Sequence, residues 1–161
     1  MLKYRSRLGH LATRVAYVAS LFRLAAMRPR PTSCDAETVS VRYLIVDDSE
    51  QFLEAAAASL GRNGIEVVGT ATNSASARER VEILRPDGVL VDVGLGEESG
   101  FDLVVELVDA FPYLESRIVL ISTRAEDDYS DLVEASPAVG FISKSELSAK
   151  ALQALVPADE Y

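Results

Sequence analysis

Residues 43–49 read YLIVDDS, four apolar residues followed by two adjacent aspartates and a serine. A short apolar run rich in branched side chains is typical of a strand that is buried on both faces of a parallel sheet. Ser49 stands at the expected N-cap of a helix, because apolar residues recur at helical spacing from Phe52 onward. The stretch therefore predicts a buried strand, an acidic strand end and the start of a helix.

The same order of strand and helix repeats along the rest of the chain. Four further apolar runs, separated by stretches with helical spacing, lie at residues 66–69, 88–91, 118–121 and 140–142. Strict alternation of strands and helices predicts a doubly wound α/β fold, here a five-stranded parallel sheet with five alternating helices. The chain is long enough for about one domain with a substantial core.

The helical stretches are expected to bury the apolar residues that recur on one face. For the third helix these are Phe101, Val104, Val105 and Val108, and for the fourth they are Tyr129, Leu132 and Val133. The fourth helix is also expected to start with acids, Glu126, Asp127 and Asp128. We expect the fifth helix to start at Ser145, because serine is a favoured N-cap residue.

Polar side chains follow four of the five predicted strands. In a doubly wound fold, ligands bind at the carboxyl ends of the strands, which meet at one edge of the sheet. The residues at these ends are Asp47 and Asp48, Asp92, Ser122 and Thr123, and Lys144. Singly, each of these residues is common as a cap, a turn residue or a solvated charge. Together they predict a cluster of three carboxylates with a hydroxyl and an ammonium group.

The chemistry of this cluster favours a hard divalent cation. Neighbouring carboxylates repel one another unless a cation lies between them. Mg²⁺ prefers carboxylate, carbonyl and water oxygens, so it fits this set of side chains. The only histidine, His10, and the only cysteine, Cys34, lie far from the cluster, which excludes a zinc site there.

Charge is distributed unevenly along the chain. Its net charge is −9, but residues 1–40 carry seven basic residues and two acids, a balance of +5, which leaves −14 for the remaining 121 residues. So acidic a body should repel nucleic acid and attract cations. A single cysteine excludes an internal disulfide, and no apolar run reaches the roughly 18 residues of a spanning helix. We predict two parts, a basic, partly helical extension and linker at 1–40 and a folded domain at 41–157.

The predicted domain resembles the receiver domain of two-component response regulators, the CheY-like family. The similarity covers residues 41–156. It rests on the acidic pair with its serine, the strand that ends at Asp92, the helix opening GFDL at 100–103, the hydroxyls Ser122 and Thr123, and the strand that ends at Lys144. The resemblance implies a flavodoxin-like receiver fold. It also implies a stand-alone phosphorelay protein that is not an enzyme in its own right.

The same resemblance implies roles for the acids. Asp92 would accept a phosphoryl group from a sensor histidine kinase or a histidine phosphotransfer protein. Asp48 and Asp92 would bind Mg²⁺ directly, Asp47 mainly through water, and Gly94 through its backbone carbonyl. Gly96 stands where the family usually has proline, so the loop after Asp92 is expected to be looser than usual.

The remaining site residues are implied to form a switch. Lys144 would pair with the phosphoryl oxygens, and the hydroxyl of Ser122, beside Thr123, would move to hydrogen-bond one of them. The ring of Phe141 would follow that hydroxyl and change the surface formed by the fourth helix, the fifth strand and the fifth helix. An unknown protein target would bind this surface, since residues 41–161 leave no room for a DNA-binding domain.

Other interpretations remain open at the level of sequence. An Mg²⁺-dependent phosphohydrolase also places acids at strand ends, but such enzymes usually carry a second acid two residues beyond the nucleophile, where this chain has Gly94. A receiver-like interaction module that is never phosphorylated would have no use for three converging acids. Residues 1–40 fit a helix on an anionic membrane surface, a signal sequence interrupted by Arg14, or a segment with no packed role. The expected location is the cytoplasm.

Overall fold

The computed structural model describes residues 40–124 and 129–156. These residues belong to the second of the two units into which the chain divides, Val39–Tyr161. The strands are β1 (Arg42–Val46), β2 (Glu66–Ala71), β3 (Gly88–Asp92), β4 (Gly94–Leu95), β5 (Glu98–Ser99), β6 (Ile118–Ser122) and β7 (Gly140–Ser143). The helices are α1 (Glu50–Arg62), α2 (Ser74–Leu84), α3 (Gly100–Ala110), α4 (Ser130–Ala135) and α5 (Ala149–Leu155), with a 3₁₀ turn at Pro112–Leu114.

Five of the strands form one parallel sheet. Their order across the sheet is β2-β1-β3-β6-β7, so β1 and β3 are neighbours at its centre and β2 and β7 are its edges. The chain thus winds first to one side of β1 and then to the other, which makes the fold doubly wound. The predicted five-stranded parallel sheet with alternating helices, the flavodoxin-like receiver fold, is confirmed.

Hydrophobic clusters cover both faces of the sheet. Leu44 and Val46 of β1 face the cluster that contains α2, α3 and α4, whereas Tyr43 and Ile45 face the cluster that contains α1 and α5. Every residue of β3 and β6 is buried. Burial on both faces explains why these strands are continuous apolar runs without polar alternation.

The predicted inner stripes of α3 and α4 are partly wrong. In α3, Leu103, Val104 and Leu107 are buried, whereas Val105 is 46% exposed. Apolar residues occur on several sides of this helix, so its sequence does not fix its rotation. In the short helix α4, Leu132 is 53% exposed, whereas Val133 and the N-cap residue Tyr129 pack against the hydrophobic core.

The predicted start of the fifth helix is also wrong. Ser148, and not Ser145, is the N-cap, and its hydroxyl accepts a hydrogen bond from the backbone N–H of Ala151 at 3.2 Å. The hydroxyl of Ser145 instead lies 2.8 Å from that of Ser143. Ser49, by contrast, caps α1 as predicted, and Asn73 caps α2.

Several sequence-based expectations lie outside the described residues. They concern the basic segment 1–40, apart from its last residue, and the acids Glu126, Asp127 and Asp128 before α4. Within the residues that are described, no helix combines the length and the apolar character needed to cross a membrane.

Candidate functional site at the carboxyl edge of the sheet

The carboxyl ends of β1, β3 and β7 bring two acids and a lysine into contact. Nζ of Lys144 lies 2.5 Å from Oδ2 of Asp47 and 2.9 Å from Oδ2 of Asp92. Asp47 is fully buried and Asp92 is only 6% exposed. Charges of this kind are rarely buried without a partner, and here one ammonium group serves two carboxylates.

Asp48 completes a group of three acids. One carboxylate oxygen from each of Asp47, Asp48 and Asp92 lies within 4.8 Å of the others, and Asp48 is exposed to solvent. Oδ2 of Asp47 is buried, and the ammonium group of Lys144 is its close partner among the described residues. Two oxygens on opposite sides of one Mg²⁺ are about 4 Å apart. The three closely spaced carboxylates therefore fit a divalent cation.

The acids and the lysine shift one another's protonation. Burial raises the pKa of Asp92 above its ordinary value of 3.8, and the neighbouring Asp47 adds to this rise. The hydrogen bond and charge of Lys144 and the backbone N–H of Gly94 act in the opposite direction. Burial acts to lower the pKa of Lys144, but its contacts with Asp47 and Asp92 outweigh burial and raise that pKa above 10.5. The lysine is therefore charged at neutral pH.

The two predicted hydroxyls lie in different environments. Ser122 is buried at the end of β6, and its Oγ accepts a hydrogen bond from the backbone N–H of Arg124 at 3.2 Å. Its carbonyl oxygen accepts a hydrogen bond from the backbone N–H of Lys144 at 2.7 Å. Thr123 is exposed. Ser122 is thus buried beside the backbone of Lys144, whereas Thr123 is exposed.

Phe141 belongs to a line of three aromatic rings. It is buried in β7, and its ring centroid lies 6.3 Å from that of Tyr129, at the start of α4. The ring of Tyr129 in turn lies 6.1 Å from that of Phe101 in the first turn of α3. The ring of Phe141 therefore packs inward, between the sheet and α4.

The loop between β3 and α3, residues 93–99, borders the acid cluster, and we call it the acceptor loop. Gly94 is exposed, and a Cβ built on it would meet no atom within 4 Å. A Cβ on Gly96 would lie 3.8 Å from Oδ2 of Asp48. At the base of the loop, a Cβ on Gly100 would lie 2.0 Å from the carbonyl oxygen of Asp92, so only glycine fits there.

Two contacts near the site do not follow from the sequence pattern. Nζ of Lys144 lies 4.6 Å from the ring centroid of Phe52, a cation–π contact that fixes the lysine from the side of α1. The backbone N–H of Ser49 donates to Oδ1 of Asp47 at 2.9 Å. Both residues were predicted on the helix after β1, but only the packing of α1 on the sheet shows that they support the site.

A family model for the response regulator receiver domain matches residues 43–156. The chain belongs to this family. Receiver domains are the phosphorylated partners of histidine kinases in two-component signalling, and the described fold and acid cluster agree with that class.

The relatives of known sequence are longer proteins. A protein-glutamate methylesterase/protein-glutamine glutaminase of Xanthomonas campestris pv. campestris is 36% identical over 110 residues, which cover 66% of this chain and 30% of that protein. The DNA-binding transcriptional activator EvgA of Escherichia coli is 32% identical over 103 residues, 64% of this chain and 50% of EvgA. The chain thus spans between 30% and 50% of the length of these relatives.

Solved receiver domains have the same fold. A Burkholderia pseudomallei response regulator, solved with a phosphorylated aspartic acid, a calcium ion and citrate, superposes with a TM-score of 0.62 at 26% identity, over 72% of this chain and 66% of that one. The signal receiver domain of the putative response regulator NarL from Mycobacterium tuberculosis superposes with a TM-score of 0.62 at 26% identity. The superposition covers 73% of this chain and 94% of that one.

Proposed function

We propose that Asp92 accepts a phosphoryl group from a phosphohistidine of a sensor histidine kinase or a histidine phosphotransfer protein. The observation that carries this proposal is the contact of its nearly buried carboxylate with Lys144 Nζ at 2.9 Å, inside the group of three acids. An oxygen of Asp92 forms the new bond to phosphorus. The bond between phosphorus and the donor's imidazole nitrogen breaks, and its electron pair stays on that nitrogen.

Asp48 and Asp92, the backbone carbonyl of Gly94 and, through water, Asp47 would hold Mg²⁺. When bound, the cation supplies charge neutralisation for the transferred phosphoryl oxygens. Lys144 would supply a further positive charge, because its ammonium group already contacts Asp92. A carboxylate is a weak nucleophile, so these residues act mainly by positioning and by neutralising charge.

Phosphorylation converts one negative charge into about two and adds strong acceptor oxygens. We infer that Lys144 and the hydroxyl of Ser122 turn toward them. Ser122 adjoins β7 through the backbone bond to Lys144, so its movement would reach Phe141 and its contact with Tyr129. The switched surface would be the face of α4, β7 and α5, where an unknown protein target binds. Thr123 stays part of this proposal as an exposed neighbour of the hydroxyl.

The remaining properties follow from this role. The receiver domain would span residues 41–157, with residues 1–40 as a separate basic extension, and would act in the cytoplasm. Its chemistry would be phosphorylation and dephosphorylation of Asp92, without a further enzymatic activity of the receiver domain itself.

Acetyl phosphate tests the proposal without knowledge of the kinase. The full chain is incubated with Mg²⁺ and acetyl phosphate, and the intact mass and the modified residue are determined. We expect one phosphoryl group on Asp92, lost in Asp92→Asn and in EDTA. Asp102→Asn, which changes an acid in the first turn of α3, is the matched control and should be phosphorylated normally. Phosphate on another residue would overturn the assignment.

A further inference from the structure

The acceptor loop is attached to the neighbouring helix by one carboxylate. Oε2 of Glu98 accepts a hydrogen bond from the backbone N–H of Ser74 at 2.7 Å and another from its hydroxyl at 2.6 Å. Ser74 is the first residue of α2, an 11-residue helix, and a carboxylate is favoured at this positive end of the helix dipole. These bonds lower the pKa of Glu98 below its ordinary 4.5, so it is charged at neutral pH.

The position of Glu98 links this attachment to the acids. In the short antiparallel pair of β4 and β5, Glu98 is opposite Leu95 and Ser99 is opposite Gly94. A shift of Glu98 would therefore move β4 and with it the backbone carbonyl of Gly94. The same loop brings Gly96 to the side of Asp48.

The loop needs such an attachment because of its sequence. Gly94 and Gly96 allow many backbone conformations, and Gly96 has a positive φ of 65°. Fixing such residues in one conformation costs more entropy than fixing other residues. At its base the loop is fixed by the contact of Gly100 with Asp92, and in its middle by the buried side chain of Leu95. Glu98 fixes its far end to α2.

We propose that Glu98 is a positioning residue for cation binding. By its two bonds to Ser74 it holds the acceptor loop so that the carbonyl of Gly94 stands beside the acids before the cation arrives. This inference rests on the proposed cation site, but it concerns a residue that touches neither the cation nor the phosphoryl group.

The first test measures Mg²⁺ affinity by isothermal titration calorimetry. We expect Glu98→Ala to raise the dissociation constant about tenfold, as for other residues that support metal ligands from outside. Glu97→Ala is the matched control, because it removes the same charge from the adjacent exposed residue, which bonds to no other described residue. Ser74→Ala should give a smaller rise, and adding it to Glu98→Ala should have no further effect. Urea unfolding of each variant checks that the fold is retained.

Two further measurements distinguish positioning from a general structural role. With acetyl phosphate, Glu98→Ala should raise the Mg²⁺ concentration for half-maximal phosphorylation but leave the rate at saturating Mg²⁺ unchanged. In the metal-free protein, hydrogen exchange of the Ser74 amide should speed up in Glu98→Ala and not in Glu97→Ala, because only the former loses the acceptor of that N–H.

The outcomes separate the two proposals. If the wild type binds no Mg²⁺, the proposed function falls, and this inference falls with it. If the wild type binds Mg²⁺ and Glu98→Ala binds it as tightly as Glu97→Ala does, only the positioning role of Glu98 is overturned.

Discussion

Nζ of Lys144 lies 2.5 Å from Oδ2 of Asp47, an acid that is fully buried. The ammonium group therefore provides the charge that makes burial of this acid tolerable. A divalent cation at the three acids would share the same carboxylates. Lysine and cation should thus partly substitute for each other in stabilising the fold.

Lys144→Met tests this substitution. Without the ammonium group, Asp47 and Asp92 are left as unpaired, buried acids, so we expect the free energy of unfolding to fall by about 3 kcal/mol. Excess Mg²⁺ should restore part of the loss, because it binds only the folded acids. Urea unfolding with and without Mg²⁺ measures both effects, and Lys150→Met at an exposed position of α5 is the control. An equal loss in both buffers would contradict the shared site.

Asp92→Asn should change the pH dependence of stability in the absence of divalent cations. The pKa of Asp92 is raised in the folded protein, chiefly by burial. A raised pKa contributes stability that is fully present below the ordinary value of 3.8 and is lost as the pH rises through the folded value. Because asparagine cannot ionise, Asp92→Asn does not lose this stability when the pH rises. The variant should therefore gain stability relative to wild type as the pH rises above 3.8. Urea unfolding measures the free energy of unfolding of both proteins as a function of pH. The same pH dependence in wild type and in Asp92→Asn would contradict a raised pKa of Asp92.

Ser122 and Thr123 offer a matched pair of hydroxyls. A hydrogen bond to a charged group contributes about 1.5–3 kcal/mol, so Ser122→Ala should lower the equilibrium level of phosphorylation by about tenfold or more. Thr123→Ala, at an exposed position, should change it less than about twofold. Phosphorylated fractions are compared by intact mass at limiting acetyl phosphate. A larger effect of Thr123→Ala than of Ser122→Ala would assign the switch hydroxyl to Thr123 instead.

Gly94→Gln should lengthen the lifetime of the phosphoryl group. A Cβ at this exposed position would meet no atom within 4 Å, so there is room for a longer side chain, which we expect to extend over the acceptor and hinder the attacking water. We expect a several-fold slower loss of phosphate once acetyl phosphate is removed. Gly61→Gln, at another open glycine near the end of α1, is the control. Unchanged decay in Gly94→Gln would mean that water does not approach from this side.

The sequence predicts the fold and the set of acids well, for a definite reason. β3 and β6 are buried on both faces, so their apolar runs are unmistakable, and parallel strands necessarily bring their carboxyl ends to one edge. Once the strands are known, Asp47, Asp92 and Lys144 must lie near one another.

Details that depend on packing between distant elements could not be predicted. The rotation of α3, which buries Leu107 and exposes Val105, is fixed by its close contact with β3. The start of α5 depends on which of two nearby serines caps the helix, and the local sequence allows either Ser145 or Ser148. The bond between Glu98 and Ser74 joins residues 24 positions apart, on exposed segments that show no distinctive pattern.

The glycine at position 100 has a consequence for genetics. A methyl group there would overlap the peptide of Asp92, so α3 rests on the main chain of the acceptor with nothing between them. Replacement by alanine would push the whole helix away from the sheet, however small the added group. A screen for mutants that have lost signalling should therefore recover substitutions of Gly100, although this residue contributes no charge, metal ligand or nucleophile.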